Sequence, residues 1–373
     1  MKTIAIDASR AIRRQKTGVE WYAWHLIKAL ALIAPADWRV KLLAPRPFDA
    51  AEEWGRKFPE AWRESSLDWP PKFLWSQIRL AAHLKRTRPD LFFSPVHVLP
   101  FFASAPAVVT IHDTDYMTHP EAYSRKGRAY LKLTTRWAVA RAARIITPSN
   151  ASKENLTKFF GCDPRKIRVT ALGPMISRVP DDPAVRTAKD KFCLSAPYFI
   201  FVGRLEAKKN TARIVEAFSE IGREFPEIKL VLVGRPGRGY EKVRSAIERA
   251  GAKNRIIETG WLAGNEVAAL TRGALGLIFA SLAEGFGLPV LDGFFLGTPV
   301  ITSRGISTEE VAGSAAVLVD PNNAGEISAA MRRIAADENF RRELAAKGLE
   351  QVKNFSWQKT AVKTVEVFNE VIG

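Results

Sequence analysis

Residues 276–292 read GLIFASLAEGFGLPVLD: an apolar run, a turn punctuated by glycine, and a proline one step into a new helix. A run as short and apolar as GLIF fits a buried parallel strand. Pro289 suits a first helical turn, where its missing N–H has no intrahelical partner. Gly285 and Gly287 let the backbone pass close to a neighbour or a ligand. The stretch therefore predicts a strand over 276–279 feeding a helix, with Glu284 past the strand's carboxyl end and Asp292 about one turn inside the helix. A helix N-terminus so placed attracts anions through its unpaired N–H groups and its dipole. Carboxylates are the wrong charge for an anion but good acceptors for sugar hydroxyls. The combination implies a ligand carrying both.

The same grammar runs outward along the chain. Short β-rich runs at 3–7, 40–43, 91–94, 107–111, 144–147 and 167–170 alternate with helical periodicity at 19–33, 73–85, 126–142 and 151–160. A Pro/Asp-rich segment at 179–183 reads as a linker, after which strands are expected at 198–202, 229–233, 255–258, 276–279, 299–302 and 316–319, with a last helix at 356–371. Such alternation signals βαβ units and parallel sheets, and two doubly wound halves hold ligands at the carboxyl ends of their strands.

A second cluster follows the strand at 198–202: Gly203, Arg204, Leu205, Glu206, then Lys209 and Asn210. Arg204 supplies a forked cation and Lys209 a point charge, the pair that a diphosphate leaving group needs. Alone, an Arg and a Lys five apart read as a solvated basic turn. With Glu284 at a second strand end, the diphosphate reading prevails.

Of 373 residues, 47% are hydrophobic and 25% charged, which fits a globular chain and excludes disorder, collagen and a membrane bundle. That length makes two domains the prior. Cys162 and Cys193 form no CxxC, so no disulfide framework or zinc cage is implied. The start, with Asp7 after few apolar residues, lacks a secretory-signal layout, and a cytoplasmic chain is expected. Residues 91–111 lack Asp, Glu, Lys and Arg but are cut by Pro95, Pro100 and Pro106, and read as two buried strands and a loop.

The net charge of +17 is uneven: residues 1–180 carry +15 and the remainder +2. The same half holds eight of the ten tryptophans, five of them (Trp38, Trp54, Trp62, Trp69 and Trp75) in one stretch with Arg and Lys between them. Three readings of residues 54–88 stand: tryptophan core under a basic surface, an interfacial face for anionic lipid, or a nucleic-acid platform. No nucleic-acid-binding signature is present, so no nucleic acid is expected. Asp113-Thr114-Asp115 has the spacing of a metal-binding D-x-D.

Taken together, residues 203–210, the EGFGLP run at 284–289 with Asp292, and GTPV at 297–300 resemble the family 4 glycosyltransferases, retaining enzymes of the GT-B architecture. TGVE at 17–20, His112-Asp113, Pro148-Ser149, EVAG at 310–313, LVDP at 318–321 and FSW at 355–357 extend the likeness over nearly the whole chain. The resemblance implies an α/β fold of two doubly wound Rossmann-like domains facing each other across a deep cleft. An acceptor-binding domain would span 1–178 and a nucleotide-sugar-binding domain 185–355, with a helix at 356–373 crossing back to the first. Arg204 and Lys209 would neutralise the donor diphosphate, and Glu284 with the backbone of Gly285, Phe286, Gly287 and Leu288 would hold the transferred sugar. Gly18 and Gly203 would line the donor site, and the loop at Trp261 and Leu262 would meet the base. His112 would hold the sugar or assist at the reacting centre. Asp292 replaces the family's usual ribose-binding Glu, one methylene longer.

The resemblance thus implies a hexosyltransferase that uses a nucleoside-diphosphate sugar, with no cofactor and no metal, since the family's His-Asp pair already accounts for Asp113. Its acceptor would be lipid-linked or polysaccharide. Mannose from GDP-mannose is the first donor to test, from overall likeness to mannosyltransferases of surface polysaccharide synthesis. The basic half implies peripheral contact with anionic membrane. Two alternatives remain: another GT-B sugar-nucleotide enzyme, and a noncatalytic scaffold binding anionic lipid or nucleic acid.

Overall fold

The computed structural model describes residues 1–69, 74–102, 105–251 and 253–373. Phe73, where the helix expected at 73–85 begins, lies outside them. Two compact units share the chain: Met1–Met117 with Arg125–Gly173 and Ser356–Gly373, and Thr118–Ser124 with Pro174–Phe355.

The first unit is built on a parallel seven-stranded sheet of β1 (Lys2–Asp7), β2 (Trp38–Ala44), β3 (Trp62–Ser66), β4 (Leu91–Ser94), β5 (Ala107–Thr110), β6 (Arg144–Thr147) and β7 (Ile167–Val169). Their order is β3-β2-β1-β4-β5-β6-β7. The chain winds one way from β1 and resumes on its other side at β4, as a doubly wound sheet does. Strands β4 and β5 are buried along their whole length, so residues 91–111 do contain two buried strands. The third helix departs from the reading at 73–85: a π-helical turn at Ser76–Leu80 runs into a helix at Ala81–Thr87. Sequence periodicity also passed over β3, whose WRESS buries only Trp62 fully and so shows no apolar run.

The tryptophan-rich stretch settles on the first of its three readings. Trp38, Trp54, Trp62 and Trp75 are all buried, and Trp69 packs against the core. The indole N–H of Trp54 donates to the Trp24 carbonyl at 2.8 Å and that of Trp75 to the Leu67 carbonyl at 3.1 Å, so burial leaves neither donor unpaired. These residues are therefore neither headgroup anchors nor base-stacking platforms.

The last helix, Trp357–Ile372, packs on this unit. Trp357 stacks on His25 at 4.8 Å, and Phe368 meets Phe93 at 5.0 Å. Glu370 pairs with both Arg144 and Arg168 at 2.7 Å.

The second unit carries a parallel six-stranded sheet of β8 (Tyr198–Val202), β9 (Lys229–Val233), β10 (Ile256–Gly260), β11 (Gly276–Phe279), β12 (Val300–Ser303) and β13 (Val317–Val319), in the order β10-β9-β8-β11-β12-β13. Its switch point lies between β8 and β11, the two strands that the sequence singled out. The Pro/Asp-rich segment is less a linker than a helix start. A helix at Asp182–Lys191 is capped by Asp181, whose carboxylate accepts the Ala184 N–H at 2.9 Å, with Pro183 in its first turn.

Candidate functional site

Where the winding reverses, the loops after two neighbouring strands diverge and leave room for a ligand at their carboxyl ends. In the second unit these loops are 203–210, after β8, and 280–287, after β11. The backbones past the ends of β8 and β9 come very close: a Cβ on Gly234 would sit 1.9 Å from the Gly203 carbonyl oxygen, and Gly234 has φ +148°. Only glycine fits there.

Lys209 and Glu284 meet across the switch point, Nζ to Oε1 at 2.5 Å, both largely buried. The ammonium also lies 5.1 Å from the Phe279 ring centroid. Asn210 adopts φ +60° and is buried. Its side-chain amide donates to the Ala280 carbonyl at 3.0 Å and the Pro321 carbonyl at 2.6 Å, which ties the loops after β8, β11 and β13 together. A further bond joins the loops directly, from the Leu282 N–H to the Lys208 carbonyl at 2.9 Å. Arg204 is mostly exposed, 3.8 Å from Glu206, and its methylenes lie against Gly237.

The turn bearing Glu284 is held from β12's side: the Ser307 hydroxyl donates to the Glu284 carbonyl at 2.7 Å. Gly287 has φ +111° and caps the helix Leu288–Phe295, with Pro289 in its first turn. Asp292 points inward from that helix, and its Oδ1 accepts the Met175 N–H at 2.8 Å and the Ile176 N–H at 3.2 Å. Burial outweighs these two donors and pushes its carboxyl up to about 7. One oxygen of the carboxylate that the resemblance offers to a ribose is thus engaged by the chain at 175–176. Trp261 is exposed beyond the end of β10, while Leu262 beside it is buried.

Gly18 and His112 belong to the first unit. Gly18 opens the helix Gly18–Ile33, where Thr17 and Glu20 form a capping box. Glu20 is buried and pairs with Arg10 at 3.2 Å and Arg13 at 3.4 Å, a cluster past β1 that the sequence did not flag. Its ion pairs link residues seven and ten apart and follow no helical spacing.

His112, past β5, is buried with its ring edge-on to Tyr22 at 4.6 Å. Its Nε2 donates to the Pro95 carbonyl at 3.0 Å, which leaves Nδ1 as the acceptor. Burial first, then His97, lowers its pKa to about 4, so the ring is neutral at physiological pH. Asp113 Oδ1 accepts the Asp115 N–H at 3.2 Å, a local turn that explains the D-x-D spacing without a ligand. Among the described residues, no three His, Cys, Asp or Glu side chains are grouped to hold a metal ion.

Comparison with known proteins supplies the lineage. The family model described as Glycosyltransferase Family 4 matches residues 16–173, and that described as Glycosyl transferases group 1 matches 188–351. The O-antigen chain mannosyltransferase B of Escherichia coli is 26% identical over 97% of this chain and 98% of its own length. Among solved structures, sucrose-phosphate synthase from Thermosynechococcus elongatus superposes with a TM-score of 0.77 at 20% identity, covering 99% of both chains. HepE from Anabaena, solved in complex with UDP-glucose, also gives 0.77, at 16% identity over 99% of this chain and 100% of its own. The fold is GT-B, and the chain belongs to the glycosyltransferases that join a family 4 domain to a group 1 domain.

Proposed function

We propose that this glycosyltransferase moves a hexosyl group, with retention and without a metal, from a nucleoside-diphosphate sugar to a hydroxyl of a polysaccharide or lipid-linked acceptor at the inner face of the cytoplasmic membrane. GDP-mannose is the first donor to test. The observation that carries the reading is the Lys209–Glu284 pair at the β8/β11 switch point, with Arg204 on the same loop. Loss of a nucleoside diphosphate builds negative charge on the leaving oxygens, and fixed cations stabilise that charge most where water is excluded. Lys209 is already largely buried, while the exposed side chain of Arg204 has room to swing onto a phosphate. Glu284 offers its second oxygen to sugar hydroxyls. A same-face mechanism, in which the departing phosphate accepts the acceptor's proton, needs no nucleophilic carboxylate. The likeness to an O-antigen mannosyltransferase along the full chain supports both the choice of mannose and the choice of a polysaccharide acceptor.

The test is thermal stabilisation by GDP, UDP, dTDP and ADP in EDTA, on the wild type and Arg204→Ala, together with the anomeric configuration of the product by NMR. One nucleotide at a hundred times its Kd is expected to add about 2.7 kcal/mol, and Arg204→Ala to abolish most of that. If none of the four stabilises the protein in EDTA, the metal-free donor site is wrong. An inverted product removes retention alone.

A further inference from the structure

One helix of the first unit carries six of the basic residues behind its surplus of positive charge and balances none of them. The helix Arg125–Arg141 reads RKGRAYLKLTTRWAVAR, six basic residues and no acidic one. It buries Thr134, Thr135 and Ala138. Tyr130, Leu133 and Trp137 recur at i, i+3 and i+7 and form an apolar stripe that runs from exposed Tyr130 and Leu133 to Trp137, which is partly buried against the core, and Arg125, Lys132 and Arg136 form a basic stripe beside it. Tyr130 and Leu133 are 49% and 58% exposed.

The apolar stripe continues onto neighbouring elements. The Trp137 indole N–H donates to the Pro100 carbonyl at 3.3 Å, and its ring lies 5.2 Å from Phe101. From the opposite side, Gln77 accepts the Phe101 N–H at 2.9 Å and donates to the Leu99 carbonyl at 3.3 Å. Segment 99–101 is thus clamped between this helix and the turn Ser76–Leu80. Phe102, at the end of the clamped segment, is 78% exposed, and Leu74 and Ile78, which bracket Gln77, are each about half exposed. Leu74 also holds φ +61°, a strained conformation for a leucine. Phe102, Leu74 and Ile78 therefore stand in water at the clamped segment, and Tyr130 and Leu133 stand in water on the helix that clamps it through Trp137, a helix of uniform positive charge. Single exposed apolar residues are ordinary, but a grouped set marks a surface that is covered in use.

We infer that Leu74, Ile78, Phe102, Tyr130 and Leu133 form a face that docks on an anionic lipid bilayer, the apolar side chains entering the headgroup boundary while Arg125, Lys132 and Arg136 meet lipid phosphates. Charge complementarity selects this occupant: a second copy of the chain would bring the same positive helix against itself. The inference rests on the proposed membrane-carried acceptor, and it places the docking face away from the buried tryptophans.

Full-length protein is sedimented with vesicles of phosphatidylcholine alone and of phosphatidylcholine with one third phosphatidylglycerol, at low and high salt. The wild type is expected to partition at least tenfold more onto anionic vesicles, and salt to reduce that preference. Tyr130→Ser/Leu133→Ser, Leu74→Ser/Ile78→Ser and Lys132→Glu/Arg136→Glu are each expected to lower partition at least tenfold while keeping the wild-type melting temperature. Equal partition onto both vesicles, or wild-type partition by all three variants, overturns the inference. So does a patch variant that keeps vesicle binding but turns an oligomer into a monomer, which assigns the face to a second copy. Nucleotide-induced stabilisation, measured on the same samples, reads the donor site separately, so failure there leaves the vesicle result standing.

Discussion

In the second unit Lys209 and Glu284 are tied down, whereas in the first a run of positive charge lies along the surface of one helix. Lys209 and Glu284 sit in loops that Asn210, Ser307 and the Leu282 N–H bind to one another. Arg125, Lys132 and Arg136 lie instead along a helix that buries only small residues. Trp38, Trp54, Trp62 and Trp75 are inside, and the indole donors of Trp54 and Trp75 are satisfied. Charge and aromatic content in one stretch of sequence therefore need not share a surface: the aromatics supplied volume and the charge supplied solubility and a face.

The sharpest way to break this contrast is Trp54→Ala. The ring is buried, 5.3 Å from Phe58, and donates to the Trp24 carbonyl. Truncation is expected to cost about 4 kcal/mol in urea unfolding and to leave vesicle partition of the folded protein unchanged. A variant that kept its stability and lost vesicle binding would return Trp54 to the surface and undo the comparison.

In the second unit the corresponding test is Asp292→Asn. Burial raises the Asp292 carboxyl from 3.8 to about 7. The folded protein thus holds this proton more tightly than the unfolded chain does. Its contribution is fully present below pH 3.8 and is lost as pH rises through 7. Between pH 5.5 and 8 the wild type is expected to lose about 2 kcal/mol relative to Asp292→Asn, whose amide oxygen still accepts the Met175 and Ile176 N–H groups. Urea midpoints across that range read the difference. Parallel curves would mean that Asp292 is ionised throughout and that its burial does not hold the proton.

How much of this was legible depends on where each residue sits. FIFV in β8 and GLIF in β11 are buried parallel strands, so their apolar runs stand out, and the glycines and Pro289 mark the turns that carry Arg204, Lys209 and Glu284. β3 was invisible because an edge strand with one fully buried residue has neither an apolar run nor alternation. The docking face was illegible for a different reason. Tyr130 and Leu133 fit a helical period that sequence reads as core, and only the tertiary packing shows that the buried side of that helix is Thr134, Thr135 and Ala138. Likewise the spacing around Asp292 predicts its helix, but not that the chain at 175–176 donates two N–H groups to it.

The smallest expected effect tests whether tying down the site does more than stabilise it. Ser307 lies on the helix Ser307–Ala312 and touches the Glu284 turn only through its hydroxyl, which donates to the Glu284 carbonyl at 2.7 Å and to the Phe286 carbonyl at 3.4 Å. Ser307→Ala removes this one hydroxyl donor, shared between the two carbonyls and worth about 1 kcal/mol, and adds no bulk. If the bond serves to aim the Glu284 carboxylate at sugar hydroxyls, affinity for the sugar nucleotide falls about fivefold while affinity for the bare nucleoside diphosphate stays put, because the residues proposed to hold the phosphates, Arg204 and Lys209, lie on the other loop. Calorimetric titration with both ligands separates the cases. An equal fall for both would make Ser307 a support of the sheet edge alone, and the contrast between tied and untied charge would then describe stability without reaching the choice of sugar.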